Sequence, residues 1–179
     1  MPALRIIGGE KGGIIIHAPA NLPVRPTTDR AKESLFNILH NHFNLDTVCA
    51  LDLFSGTGNM AYEFASRGAL KVVSVDINFN CYNFIKQSKI KQDFDKLEVL
   101  KADVFKYLQK CEDSFDIIFA DAPYNLPRIS EIPNLVLAKN MLKQGGWLIV
   151  EHGSELDLSK HARIREVRKY GQSTFSIFV

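Results

Sequence analysis

Apolar residues recur along this chain with two periods that take turns, one suited to strands and the other to helices. Residues 1–24 are punctuated by Gly and Pro and carry two short apolar runs, Leu4-Arg5-Ile6-Ile7 and Ile14-Ile15-Ile16. These predict a β-hairpin turning at or near Gly12-Gly13. Arg25-Pro26-Thr27-Thr28-Asp29 then reads as a loop feeding a helix, capped by Thr28 or Asp29, with Ala31, Leu35, Phe36, Ile38 and Leu39 on its apolar face. From Val48 onward, strands alternate with helices. Strands are expected over 48–54, 71–76, near 97–100, over 115–120 and over 147–150; helices over 59–67, 79–91, near 104–110 and near 130–142, the last ending at Gly145-Gly146. Two more strands, 162–167 and 173–179, are joined through Tyr170-Gly171. Helices set between apolar strands imply an α/β fold: a doubly wound, mostly parallel sheet, with an antiparallel C-terminal edge hairpin and a short N-terminal β-hairpin plus helix. One domain, 1–179, is expected, divided into an N-terminal hairpin and helix (1–45) and a Rossmann-like core (46–179).

Composition narrows the class. An apolar fraction of 46% and a charged fraction of 23% fit a water-soluble domain, and no run reaches the roughly 18 apolar residues of a membrane span. The opening Met-Pro-Ala-Leu-Arg has no apolar signal-peptide core, so a cytoplasmic location is expected. Cys49, Cys81 and Cys111 form no CxxC pair, which predicts reduced thiols and no metal site. The net charge of +2 says little, but its distribution says more. Arg5, Lys11, Arg25, Arg30 and Lys32 crowd the start of the chain, and Lys160, Arg163, Arg165, Arg168 and Lys169 lie near its end. If the two ends meet in space, they form one phosphate-binding face.

The strongest chemical signal is Leu51-Asp52-Leu53-Phe54-Ser55-Gly56-Thr57-Gly58-Asn59, answered 20 residues past Gly56 by Asp76. A strand enters a turn built on Gly56 and Gly58 and leaves as a helix, so main-chain N–H groups can approach a ligand closely. An acid at the end of the next strand can accept both hydroxyls of a ribose. The third position of a dinucleotide fingerprint is Ala61, and no pyrophosphate has to be cradled. The turn with Asp52 therefore suits S-adenosylmethionine better than a dinucleotide. Ligands of open α/β sheets lie beyond the carboxyl ends of the strands. Those ends carry Asp52, Asp76, Asp103 and Asp121, and the candidate cofactor residues are Asp52, Phe54, Ser55, Gly56, Gly58, Asp76, Ile77, Asp103, Val104 and Asp121.

Asp121-Ala122-Pro123-Tyr124 is the candidate catalytic loop. Methyl transfer to an exocyclic amine needs the amine held in line with the donor carbon, its lone pair turned out of conjugation. The Asp121 carboxylate and the Ala122 carbonyl suit that task, Pro123 stiffens the loop, and Tyr124 offers a ring for stacking on an unstacked base.

These motifs resemble the RsmD-type family of 16S ribosomal RNA guanine 2-amino methyltransferases, and the resemblance runs through nearly the whole chain. Its elements are Leu4-Arg5-Ile6-Ile7-Gly8-Gly9, the block Val24-Arg25-Pro26-Thr27-Thr28-Asp29-Arg30-Ala31-Lys32-Glu33-Ser34-Leu35-Phe36-Asn37, the glycine turn, and Ser66-Arg67-Gly68-Ala69. The resemblance implies a Rossmann-like class I fold, S-adenosyl-L-methionine as cofactor, and methylation of a guanine 2-amino group in small-subunit ribosomal RNA or an assembling 30S particle, by a monomer. It implies RNA contacts in the N-terminal block, where Arg5, Arg25, Arg30 and Lys32 are the candidates. The chain departs from the family pattern twice. Ala122 replaces the first proline of the usual Asp-Pro-Pro-Tyr, and Glu10-Lys11-Gly12-Gly13 stands where a Trp-Arg-Gly-Arg-type run is common. An amino methyltransferase acting on adenine or on a protein amide, or a binding protein with little turnover, uses the same loop residues and is an open alternative on the sequence alone.

Overall fold

The computed structural model describes residues 3–20, 22 and 27–179. Strands β1 (Ala3–Arg5) and β2 (Ile15–His17) pair antiparallel, followed by α1 (Asp29–His42) and β3 (Cys49–Leu53). Next come α2 (Asn59–Ser66), β4 (Lys71–Asp76), α3 (Phe79–Lys91), β5 (Leu97–Lys101), α4 (Val104–Lys110) and β6 (Phe115–Asp121). Helix α5 (Ile132–Ala138), β7 (Leu142–His152), β8 (Ile164–Tyr170) and β9 (Ser173–Phe178) complete the order.

The main sheet has seven strands in the order β5-β4-β3-β6-β7-β9-β8. Neighbours from β5 to β7 are parallel, while β9 runs antiparallel to both β7 and β8. Because alternate strand residues face opposite sides, each strand feeds two cores. Ala50, Val72, Ile117 and Ile149 pack under α1, α2 and α3, whereas Leu51, Val73, Ile118 and Leu148 pack under α4 and α5. The sheet is thus covered on both faces, as its apolar strands require.

The main difference from expectation lies between 129 and 152. Instead of a helix over 130–142, a 3₁₀ turn at Ile129–Glu131 leads into a seven-residue α5 that stops at Ala138. The chain turns back at Asn140, whose φ is 51°, and β7 already begins at Leu142. Gly145-Gly146 lie inside this strand, where the register jumps from Phe115–Leu142 to Ile117–Trp147.

The N-terminal hairpin and α1 are fastened to the core through polar groups. Lys32, fully buried, donates from Nζ to Asn59 Oδ1 at 2.7 Å and pairs with Glu63 Oε2 at 3.4 Å. Glu63 also accepts from the main-chain N–H groups of Ile7 (2.8 Å) and Gly8 (2.9 Å) and from Arg67 Nε (2.8 Å). Burial pulls the Lys32 ammonium below its ordinary pKa, although Glu63 and Asp29 work the other way. This overturns the expectation that Lys32 contacts RNA. Its charge is satisfied inside the protein, on the face of α1 that also carries Leu35 and Leu39.

Candidate active site

The sheet reverses direction of growth at β3, with β4 on one side and β6 on the other. A crevice opens beyond the carboxyl ends of strands at such a switch point. Here it is a cavity of about 590 Å³ lined by residues from β3, β4, β6, β7 and the loops that follow them.

One wall is the glycine turn. Phe54, Gly56 and Gly58 all have positive φ, 58°, 53° and 80°. A Cβ at Gly58 would also lie 2.8 Å from Tyr62 Cζ, so the helix start admits only glycine. Phe54 has no such freedom and stores roughly 1–3 kcal/mol of strain beside the cavity. The turn is closed by Gly58 N–H donating to the Ser55 carbonyl at 2.7 Å and Ser55 Oγ donating to the Asp52 carbonyl at 2.7 Å. Asp76 reaches across from β4: its Oδ2 accepts from Gly56 N–H at 2.8 Å and its Oδ1 from Asn78 N–H at 2.7 Å. Two amides thus orient the carboxylate, and each oxygen retains capacity for a second donor.

Asp52 lies deeper, 2% exposed, with Oδ2 accepting from Ala61 N–H at 3.1 Å. Burial pushes its carboxyl pKa up to about 8, against the pull of that amide. On the opposite wall are Asp121, Ala122, Pro123 and Tyr124. Tyr124 is 45% exposed and lines the cavity, and its hydroxyl lies 3.2 Å from Ser173 Oγ. The glycine turn, Asp76 and the loop 121–124, separate in sequence, therefore face one space, together with Ile77.

Other expected residues lie elsewhere. Asp103 and Val104 are not part of the cavity wall: Asp103 Oδ1 caps α4 by accepting from Lys106 N–H at 2.9 Å, and Val104 is buried in the core beneath α4. Arg5 is exposed, with Nε 3.9 Å from Asp29 Oδ2, and its carbonyl receives the Lys32 ammonium. Arg25 lies outside the described residues. Arg30 is exposed and shares a second cavity, of about 290 Å³, with Lys169 and Gln172; Thr28 and Ser173 border both cavities. Among the described residues, Arg30 and Lys169 bring the two basic ends of the sequence together there. Other C-terminal arginines are engaged within the fold: Arg165 stacks 4.9 Å from the Trp147 ring, and Arg168 pairs with Glu166 at 2.8 Å.

The structure also adds residues. Glu151, near the end of β7, supplies the cavity's fourth strand-end carboxylate in place of Asp103. Its Oε2 accepts from Thr27 Oγ1 at 2.9 Å, across 124 positions of sequence. Asn59, also on the wall, donates to the Thr27 carbonyl at 3.1 Å. Thr27, with Thr28 beside it, is thereby held as one rim of the cavity. With Asp52 holding its proton, Asp76, Asp121 and Glu151 are the acidic groups around this space that favour a cationic ligand with sugar hydroxyls. Among the described residues, no group of three or more His, Cys, Asp or Glu could hold a metal ion, and no helix is long and apolar enough to cross a membrane.

The chain is similar to known proteins along nearly its whole length. Residues 4–179 match the family described as Conserved hypothetical protein 95. The ribosomal RNA small subunit methyltransferase D of Buchnera aphidicola is 30% identical over 155 residues, covering 87% of this chain and 79% of that one. Among solved structures, yhhF from Escherichia coli superposes with a TM-score of 0.86 at 24% identity, covering 99% of this chain and 97% of that one. The Thermus thermophilus 16S rRNA N2 G1207 methyltransferase, in complex with AdoMet and guanosine, gives 0.75 at 19% identity, over 98% of this chain and 49% of that one. At such identities these two structures speak for the fold, the Rossmann-like class I methyltransferase fold. The family match spans the whole sheet and both halves of the site, and this chain belongs to Conserved hypothetical protein 95, the RsmD-type family.

Proposed function

We propose that this protein transfers a methyl group from S-adenosyl-L-methionine to the exocyclic 2-amino group of a guanine in small-subunit ribosomal RNA. The observation that carries the reading is the single cavity, with a nucleoside-binding turn and its acid, Asp76, on one wall and Asp121 and Tyr124 on the other. The donor set fits the cofactor: Asp76 for the ribose hydroxyls, Ile77 as an apolar cover, and acidic walls for its cationic groups. Bound there, S-adenosylmethionine supplies an electrophilic methyl carbon on a sulfonium sulfur.

The chain's own residues do the rest. Tyr124, with its hydroxyl anchored at Ser173, offers its ring to a base turned out of the RNA stack, since a stacked amine is out of reach. Asp121 accepts a hydrogen bond from the amine, which turns the nitrogen lone pair toward the methyl carbon and balances the positive charge growing on nitrogen as the N–C bond forms. With the cofactor bound, the C–S electron pair would stay with its sulfur on transfer, and Asp121 would carry the amine proton to solvent. Residues 1–45 cover the cofactor and contact RNA through Arg30 and Arg25, on free RNA or an assembling subunit in the cytoplasm, with the protein acting as a monomer.

The test is incubation with labelled S-adenosylmethionine and undermethylated small-subunit RNA or particles, followed by nucleoside mass spectrometry. N2-methylguanosine is the expected product. Label in methyladenosine or in protein would favour the other amino substrates, and cofactor and RNA binding without transfer would mark a binding protein.

A further inference from the structure

Asp121 and Tyr124 account for an amine and an aromatic face, which adenine offers as readily as guanine. The bases differ at the atom next door: guanine places an N1–H donor beside its 2-amino group, whereas adenine places a bare N1 acceptor beside its 6-amino group. Glu151 is a second acidic residue beside Asp121. It stands opposite Asp121 in the parallel pairing of β6 and β7, is 2% exposed, and shares the cavity wall with Asp121 and Tyr124. Its position is set by Thr27 Oγ1 at 2.9 Å and by a longer contact, 3.5 Å, from the Tyr124 hydroxyl. Thr27 is fixed in turn by Asn59, and Asn59 by the buried Lys32.

We propose that Glu151 reads the edge of the flipped base by accepting a hydrogen bond from guanine N1–H, and that this selects guanine over adenine. The proposal rests on the guanine 2-amino reading above. An ionised carboxylate only accepts. Two carboxylates on neighbouring strand ends match two donors in a row, N1–H and N2–H. Faced with adenine, one of them meets a lone pair, and a polar site left mispaired in this way discriminates far more strongly than a change of shape. Thr27 keeps the carboxylate aimed at the base edge, which gives the N-terminal block a part in substrate choice.

The experiment first maps the guanosine that the wild-type protein methylates, then replaces it with 2-aminopurine by ligation of synthetic RNA. This base keeps the 2-amino group but has a bare N1. Wild-type protein should prefer guanine by about 10-fold or more in kcat/KM. In Glu151→Gln the side-chain oxygen still accepts from Thr27 while the NH₂ group donates to a bare N1. The guanine to 2-aminopurine ratio, read at saturating cofactor, should therefore fall by about 10-fold. A folded Glu151→Gln protein with the wild-type ratio overturns the proposal. So does a wild-type protein that uses both bases equally, which needs no variant. A wild-type protein that methylates no guanine overturns the underlying reading instead.

Discussion

Lys32 and Glu63 form an ion pair inside the protein, Nζ and Oε2 3.4 Å apart, with side chains 1% and 0% exposed. The pair is unequal, because Glu63 has three further donors in Ile7, Gly8 and Arg67. Removing Glu63 strands a buried ammonium and two main-chain amides. Glu63→Ala should cost about 3–5 kcal/mol of unfolding free energy, and Lys32→Met distinctly less, as read by denaturant melts. If folded Lys32→Met instead bound RNA with a shallower salt dependence, Lys32 would be a contact residue after all.

Asp76 does two things at once, holding the turn amides of Gly56 and Asn78 and facing the cavity. Asp76→Ala should weaken S-adenosylmethionine binding by about 1–3 kcal/mol. Asp76→Asn, which keeps one acceptor, should lose less. Unchanged affinity in both folded variants, measured by calorimetric titration, would move the ribose site elsewhere.

Asp52 gives a pH signature. Its folded pKa, about 8, lies above the ordinary 3.8, so the folded state holds a proton that the unfolded chain releases. That contribution to stability is fully present below pH 4 and is lost as pH rises toward 8, at roughly 1 kcal/mol per pH unit. Melts of the cofactor-free protein between pH 5 and 8 should show this slope, and Asp52→Asn should flatten it. Parallel profiles for the two proteins would mean that Asp52 is ionised in the fold.

Arg30 and Lys169 border the second cavity, beside the mouth of the first. Charge reversal at either should raise the Michaelis constant for RNA. It should also reduce the slope of log affinity against log salt by about 0.7–0.9 for each phosphate that is no longer neutralised. Filter binding at several salt concentrations reads this directly; two parental slopes would make the groove a structural feature.

Much of the fold and site is legible in the sequence, and the failures have physical causes. The turn at Gly56 and the acid at Asp76 pair from spacing alone, because a strand, a turn, a helix and a strand consume a nearly fixed length. Lys32 misleads when its charge is given more weight than its position. It lies three and seven residues before Leu35 and Leu39, which is the buried stripe of a helix. Glu151 is open to the same rule that finds Asp121, since it ends the apolar run Trp147-Leu148-Ile149-Val150. The helix expected near 130–142 is too long because Gly145-Gly146 resembles a helix stop. What ends α5 is Asn140 in the left-handed region, six residues before Gly146, and the glycines serve a register shift in β7 that no local pattern reveals.

The central claim is that Asp121 holds the amine where it meets the methyl donor, and single-turnover methylation with saturating cofactor tests it most directly. Asp121→Ala should slow the chemical step by about 100-fold or more, the scale of losing one preorganised electrostatic group, while S-adenosylmethionine binds as in the parent. Tyr124→Ala, run alongside, should chiefly weaken productive binding of RNA. A folded Asp121→Ala protein that transfers methyl at the parental rate would contradict the account and place the chemistry at another point of the cavity.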